Sequence, residues 1–393
     1  MAVYRLRGKV QNYAWGGTEF LPTLLQTENP QQEPWAEYWL GIHPKGPAII
    51  ETENGLQPLD EWLRADHRRL AQGAIGGFEA LPFLFKILDV REMLSIQLHP
   101  KREVAREGFA KEEALGIPRL APDRNYKDEN HKPEVMVALT DFWLLHGFRS
   151  EEAIETTLRQ VPGWQQLQSV LEQDGVKGLY RRVMEAEQST INSWLQPLYD
   201  DLANRKDSLS TDSPDYWAWQ AFEQYSVDGN FDRGIFSIYW FNLVFIPKGL
   251  GIFQGAGIPH AYLRGVNVEL MANSDNVLRG GLTPKHIDVP ELLRNIRTEE
   301  VVPQLLEGNE IQPGMKDYPV PVPDFKLQQI QLSAQEQTEV KTENAAIYMV
   351  LEGKLEVAGQ MFKKGAAFLL PAGGKEVFRN GSGTNLVIYG ATF

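Results

Sequence analysis

The sequence predicts a mainly β protein with one helical insertion: two jelly-roll β-barrels plus an α-helical domain. Three observations predict it. Short apolar runs broken by Gly and Pro fill both ends of the chain. A Gly- and Pro-poor stretch with helical spacing fills the middle, and a Lys-Gly…Ala-Gly signature occurs twice in the second half. At 393 residues the chain exceeds what one hydrophobic core usually supports, so several units are expected.

The first unit, residues 1–149, reads as strands and turns, with brief helices near Leu59 to Leu70 and Arg102 to Leu115. Composition changes after Arg149. Ser150 followed by Glu151 and Glu152 is a helix start, and Leu158, Val161, Leu167, Val170 and Leu171 recur near helical spacing. A helical insertion over 150–232 follows from this. Strand character returns from Phe236, completing the first barrel over 233–310 and forming a second over 311–393. Lys248-Gly249, Phe253 and Ala256-Gly257 line up with Lys364-Gly365, Leu369 and Ala372-Gly373, which sets His260 opposite Glu376. With no histidine after His286, the second barrel is expected to lack a His-based metal site.

Lys and Arg total 39 against 52 Asp and Glu, a net charge of −13. Such a far field repels nucleic acid and anionic membranes, so an anionic substrate needs a local basic patch. The absence of cysteine removes disulfides and thiolate metal sites, leaving His, carboxylate and amide oxygen as ligands. The apolar run Ile235 to Ile246 falls short of the ~20 residues that span a bilayer, and the start MAVYRLRGKV has no long apolar core. The expectation is a cytoplasmic chain, monomeric rather than obligately oligomeric, with no nucleic-acid or membrane partner.

Three distant segments carry the chemistry. In SIQLHPK, Ser95, Gln97 and His99 are spaced by two and share one strand face. In HKPEVMVAL, alternation places Lys132, Glu134, Met136 and Ala138 on one face and His131, Val135 and Val137 on the other. His260 follows the turn Gly257-Ile258-Pro259, which can aim an imidazole inward. Gln97, His99, Glu134 and His260 together suit Zn²⁺, and the residue types alone also tolerate Fe²⁺ or Mn²⁺. An oxygenase holding Fe²⁺ would use the same ligands but gives no reason for the cations of ANSDNVLRGGLTPKHID, where Arg279, Lys285 and His286 follow Asp275 closely. A guanidinium there matches an oxyanion or a phosphate, and Gly280-Gly281 allows close backbone approach.

These segments, with QNYAWGG and WLGIHP before them, resemble in order and wording the type I phosphomannose isomerase family. The likeness covers nearly the whole chain, the helical and C-terminal parts matching in pattern more than in motif. It implies a cupin-superfamily enzyme with one Zn²⁺ per chain, interconverting D-mannose 6-phosphate and D-fructose 6-phosphate. Carried over by motif, the zinc ligands are Gln97, His99, Glu134 and His260, and Arg279 is the active-site arginine. One departure is visible: the family runs His-Pro-Asp-Lys where this chain has His99-Pro100-Lys101-Arg102, which leaves the phosphate or helix-start contacts there open.

Aldose–ketose exchange moves a proton between neighbouring carbons through an enediolate, whose charge Arg279 would stabilise. Lys132, Asp275 and His131 are the candidates for carrying the proton, and strand spacing favours Lys132 over His131. Phosphate capture is expected from Ser95 with some of Lys86, Lys101, Arg102 and Lys285. Trp15 is expected to line the sugar pocket.

Overall fold

A computed structural model describes residues 3–71 and 80–393. Among the described residues its strands form sheets of nine, ten and four members, and five of its α-helices follow one another between Glu151 and Trp240. No helix among the described residues is long and apolar enough to cross a membrane.

The ten-stranded sheet is organised by the strand His260–Ala272. Its first part pairs with Phe142–Phe148 and, at His260, with Gln97–Leu98. Its second part pairs with Phe83–Val90 on one edge and Glu134–Ala138 on the other. The strand changes neighbours around Gly265, whose φ is 128° and where a Cβ would stand 2.6 Å from the Asp141 carbonyl oxygen. Only glycine serves there.

Period-two alternation sorts the side chains as expected. Val135 and Val137 join the core shared with the nine-stranded sheet, while Met136 and Ala138 turn inward beside Leu88, Phe142 and Tyr262. The nine-stranded sheet is buried on both faces: Ile347 and Met349 pack toward the first sheet, Tyr348 and Val350 toward the four-stranded one.

Two findings differ from the sequence reading. Residues Ile235–Trp240 form a helix, and the strand begins only at Phe241. All six are buried, so the run carries no polar period to distinguish helix from strand. Phe236 and Trp240, one helical turn apart, both meet the Trp164 ring, at 4.6 and 6.0 Å between centroids. The first and last units also share a sheet, because Tyr4–Arg7 pairs with Ala367–Leu370 on one side and with Ile49–Thr52 on the other.

The internal repeat is visible in the backbone. Gly249 and Gly365 both have positive φ and donate to the carbonyls of Ala138 and Val350; Leu250 and Ala366 in turn accept from those same residues. Gly257 and Gly373, eight residues on in each copy, repeat the positive φ.

Candidate active site

His99, Glu134 and His260 converge from three segments, with their ligating atoms within 4.8 Å of one another. His99 Nε2 stands 3.4 Å from one Glu134 carboxylate oxygen and His260 Nε2 3.4 Å from the other. Each ring is oriented by its far nitrogen: Nδ1 of His99 lies 2.9 Å from the Asn276 carbonyl oxygen, and Nδ1 of His260 3.0 Å from that of Ile258. With Nδ1–H donating to a carbonyl, Nε2 is left as a lone pair aimed at the carboxylate.

The protonation states follow from burial. Burial first, and the Lys132 ammonium next, depress His99 to about 4, so it is neutral at neutral pH. Burial would raise the Glu134 carboxyl, but Lys132 and the imidazoles outweigh it and hold it well below the usual carboxylate range. A neutral lone pair facing a carboxylate needs a cation between them, and His99 Nε2 is buried with no hydrogen-bond partner. The donor set therefore fits a divalent metal.

Two cavities meet here. An inner chamber of ≈ 80 Å³ is lined by Lys86, Lys132, Glu134, His260, Tyr262 and Glu269. An outer cleft of ≈ 640 Å³ is lined by Trp15, Lys45, Ser95, Lys127, Arg279 and Lys285, among others. Glu37, Leu94 and Gln97 line both and form the passage between them. Gln97 pairs on one side with His260 and on the other with Arg279, so the three stand abreast.

Most residues expected at the site are brought to it. Ser95, Trp15, Asp275, Arg279 and Lys285 line the cleft, and Lys132 reaches the Glu134 carboxylate at 2.9 Å. Trp15 lies nearly parallel to Tyr13, 5.9 Å away. Three residues named for phosphate capture, Lys101, Arg102 and Lys86, lie away from the cleft wall. Lys101 is exposed at the start of the helix Arg102–Ala114 and lines neither cavity; its neighbour Arg102 instead bonds His131 and Asp324, at 2.5 and 2.6 Å. Lys86 sits in the inner chamber, 3.0 Å from Glu269 and 3.4 Å from Glu37. Burial would lower its pKa, but these acids and Glu134 outweigh that, so it remains a fixed cation.

The sequence reading missed Lys45 and Lys127. Lys45 pairs with Asp275 at 2.8 Å, and His43 approaches the same carboxylate at 3.5 Å. Burial would raise Asp275, but these partners hold it far below the usual carboxylate range. Lys127 is lowered by burial and by Lys45, Arg279 and Lys285; Lys285 is lowered by burial, Arg279 and Lys45; Arg279 is lowered by burial. The cations crowd one wall and repel each other, a field complementary to a dianion. Also missed were Glu37, Glu269 and Tyr262, the last donating to Glu269 at 2.8 Å. A signal existed: Lys86 and Glu269 are charges set inside the apolar strands FLFKILDV and VNVELMA, a pattern that demands a buried partner.

Comparison with known proteins agrees with this geometry. Residues 3–151 match the family description "Phosphomannose isomerase type I, catalytic domain". The chain is 40% identical over 353 residues to mannose-6-phosphate isomerase of Escherichia coli (strain K12), covering 89% of this chain and 88% of that one. It is 31% identical over 384 residues to the Homo sapiens enzyme, with 89% and 88% covered. The structure superposes with a TM-score of 0.88 on mannose 6-phosphate isomerase from Salmonella typhimurium bound to fructose 6-phosphate and zinc, at 34% identity and 100% coverage of both chains. By these relationships the chain belongs to the type I mannose-6-phosphate isomerase family.

Proposed function

We propose that this chain interconverts D-mannose 6-phosphate and D-fructose 6-phosphate with one zinc ion held by Gln97, His99, Glu134 and His260. The observation that carries the reading is the joining of two unlike cavities through Gln97 and Glu37: a small chamber with metal-competent ligands, and a cleft walled by Lys127, Arg279 and Lys285. The phosphate would occupy the cleft and the first carbons of the sugar the chamber. The Salmonella typhimurium relative has been solved with fructose 6-phosphate and zinc, which supports the substrate and the metal. We further read the fold as two cupin-type barrels, of which only the first binds metal, in a cytoplasmic monomer.

Bound zinc would supply Lewis acidity toward the sugar's oxygens next to the carbon that loses its proton. Lys132 is the residue placed to carry that proton between neighbouring carbons, because its Nζ lies inside the chamber at 2.9 Å from Glu134; acting as the free amine it would take the proton from one carbon and, as the ammonium so formed, return it to the next. Asp275 is a poor base, being paired with Lys45 and His43 outside the chamber. Lys86, permanently charged, would stabilise negative charge from inside the chamber, and Arg279 would do so from its mouth. The enediolate is thus met by cations on two sides while Leu94 and Tyr262 limit access of water.

The direct test is conversion of mannose 6-phosphate to fructose 6-phosphate by purified protein, before and after chelation and after zinc is restored. Activity lost and recovered with zinc supports the reading. A zinc-loaded protein with no isomerase activity would overturn it.

A further inference from the structure

The helical insertion ends in a half-buried carboxylate that the reaction does not use. Asp232 accepts backbone N–H groups from Gly234 at 2.6 Å and Leu282 at 2.7 Å through Oδ1, and from Thr283 at 3.2 Å through Oδ2. Its acceptor capacity is spent on backbone, most of it in a segment fifty residues away.

That segment is the loop joining Arg279 to Lys285. Its backbone is strained: Leu282 has a φ of 52°, left-handed for a branched, fully buried side chain. Gly281 has a φ of 126°, and a Cβ on it would stand 2.4 Å from the Gly234 Cα. On Gly280 a Cβ would stand 2.8 Å from the Tyr180 hydroxyl. Both glycines are therefore fitted to the insertion. On its other side the loop exchanges hydrogen bonds with Ile96, Gly280 N–H donating to Ile96 at 2.9 Å and Ile96 N–H to Gly281 at 3.0 Å. Leu282, Thr283, Pro284 and Lys285 all line the outer cleft, and the insertion adds Gln224 and Tyr225 to the same wall.

We propose that Asp232 is a positioning residue for sugar-phosphate recognition, clamping the Leu282–Thr283 backbone so that Arg279 and Lys285 are presented together to the phosphate. The insertion is then the outer jaw of the substrate cleft. A strained turn relaxes unless something holds it, and with Ile96 on one side, the N–H groups of Leu282 and Thr283 on one carboxylate hold this one on the other. Released, the loop would carry Lys285 away from Arg279, which its strand pairing with Gln97 holds, and recognition of a dianion would weaken while Arg279, the metal ligands and Lys132, anchored on other segments, stay in place. This rests on the assignment of the phosphate to the cleft.

The test compares wild type with Asp232→Asn. Asparagine keeps Oδ1 for Gly234 and Leu282 but turns an NH₂ toward the Thr283 N–H, so one contact becomes repulsive. KM for mannose 6-phosphate and the inhibition constant of inorganic phosphate should both rise about tenfold, the scale of a lost hydrogen bond to a charged acceptor. Turnover at saturation and zinc content should change by less than about threefold, as uniform-binding losses do. Gly281→Ala, which pushes the same loop off Gly234, should shift the same two constants. Asp232→Asn protein with wild-type KM and phosphate inhibition, whether or not its melting temperature falls, overturns the proposal. If that variant does not fold, an unchanged pair of constants in Gly281→Ala overturns it, and so does failure of both to fold, which would mark a purely structural role. The wild type separates the two readings: if phosphate does not inhibit it and mannose serves as well as its 6-phosphate, the cleft assignment falls first and takes the proposal with it.

Discussion

Glu134 is where the electrostatics of the site converge, reached by Lys132 at 2.9 Å and by both imidazoles at 3.4 Å. Arg279 stands apart from that cluster, beside Gln97 at the mouth of the chamber. Arg279→Ala should therefore leave zinc bound while lowering turnover by ~10² or more, the scale of a lost oxyanion donor; steady-state kinetics with metal analysis checks it, and near-normal turnover would remove Arg279 from that role. Buried histidines make a second prediction. His99 and His146 are both held at about 4, mainly by burial, against an ordinary 6.5. Between those values the unfolded chain binds more protons than the folded one, so stability is lost as pH falls and is flat above about 7. Asp89, raised by burial from 3.8 to about 6, acts in the opposite sense over much of this interval and offsets part of the loss. The melting temperature of the metal-free protein should accordingly drop between pH 6.5 and 4; an increase over that range would contradict the balance. The cluster of His99, Glu134 and His260 was legible because strand spacing and turn chemistry are local. Lys45 and Lys127 were not, since neither stands in a patterned run and only folding brings them together.

Among the elements, the helix Glu151–Gln160 was readable from its first residues, and Ser150 does accept from the Ala153 N–H at 3.2 Å. Ser150→Ala should cost about 1 kcal/mol of stability, read as a shift in the denaturant midpoint with KM and turnover unchanged. The following helix, Gln168–Met184, hides a break at Gly175, where φ is 65° and ψ is −171°. Apolar spacing on either side of it gave no sign, because each half keeps its own helical period. The helix Ile235–Trp240 was misread for the opposite reason: a run buried on every side has no period at all. Patterning reports a boundary between apolar and wet faces, and it falls silent where that boundary is missing.

At the scale of the molecule, the pairing of Tyr4–Arg7 with Ala367–Leu370 ties the first residues to the last unit across the chain. Asp324, from the C-terminal part and fully buried, bonds Arg102 at 2.6 Å and His131 at 3.0 Å, beside the segment that carries Lys132. Such partnerships are encoded by no local pattern, so this interlocking of distant segments could not be read from sequence. The unequal cavities have a kinetic consequence. A cavity of about 150 Å³ is enough to admit benzene, so a chamber of ≈ 80 Å³ is small for a whole pyranose and suited to its first carbons. Under the proposed function the hexose would present its first carbons as the free aldehyde, a minor species in solution, and throughput would be tied to how quickly the cyclic form opens. A methyl mannoside 6-phosphate, whose anomeric oxygen is capped, should compete for the cleft as an inhibitor and emerge unchanged. This fold would thus act as a gauge of chain linearity, selecting its substrate by the state of the ring before any bond to hydrogen is broken.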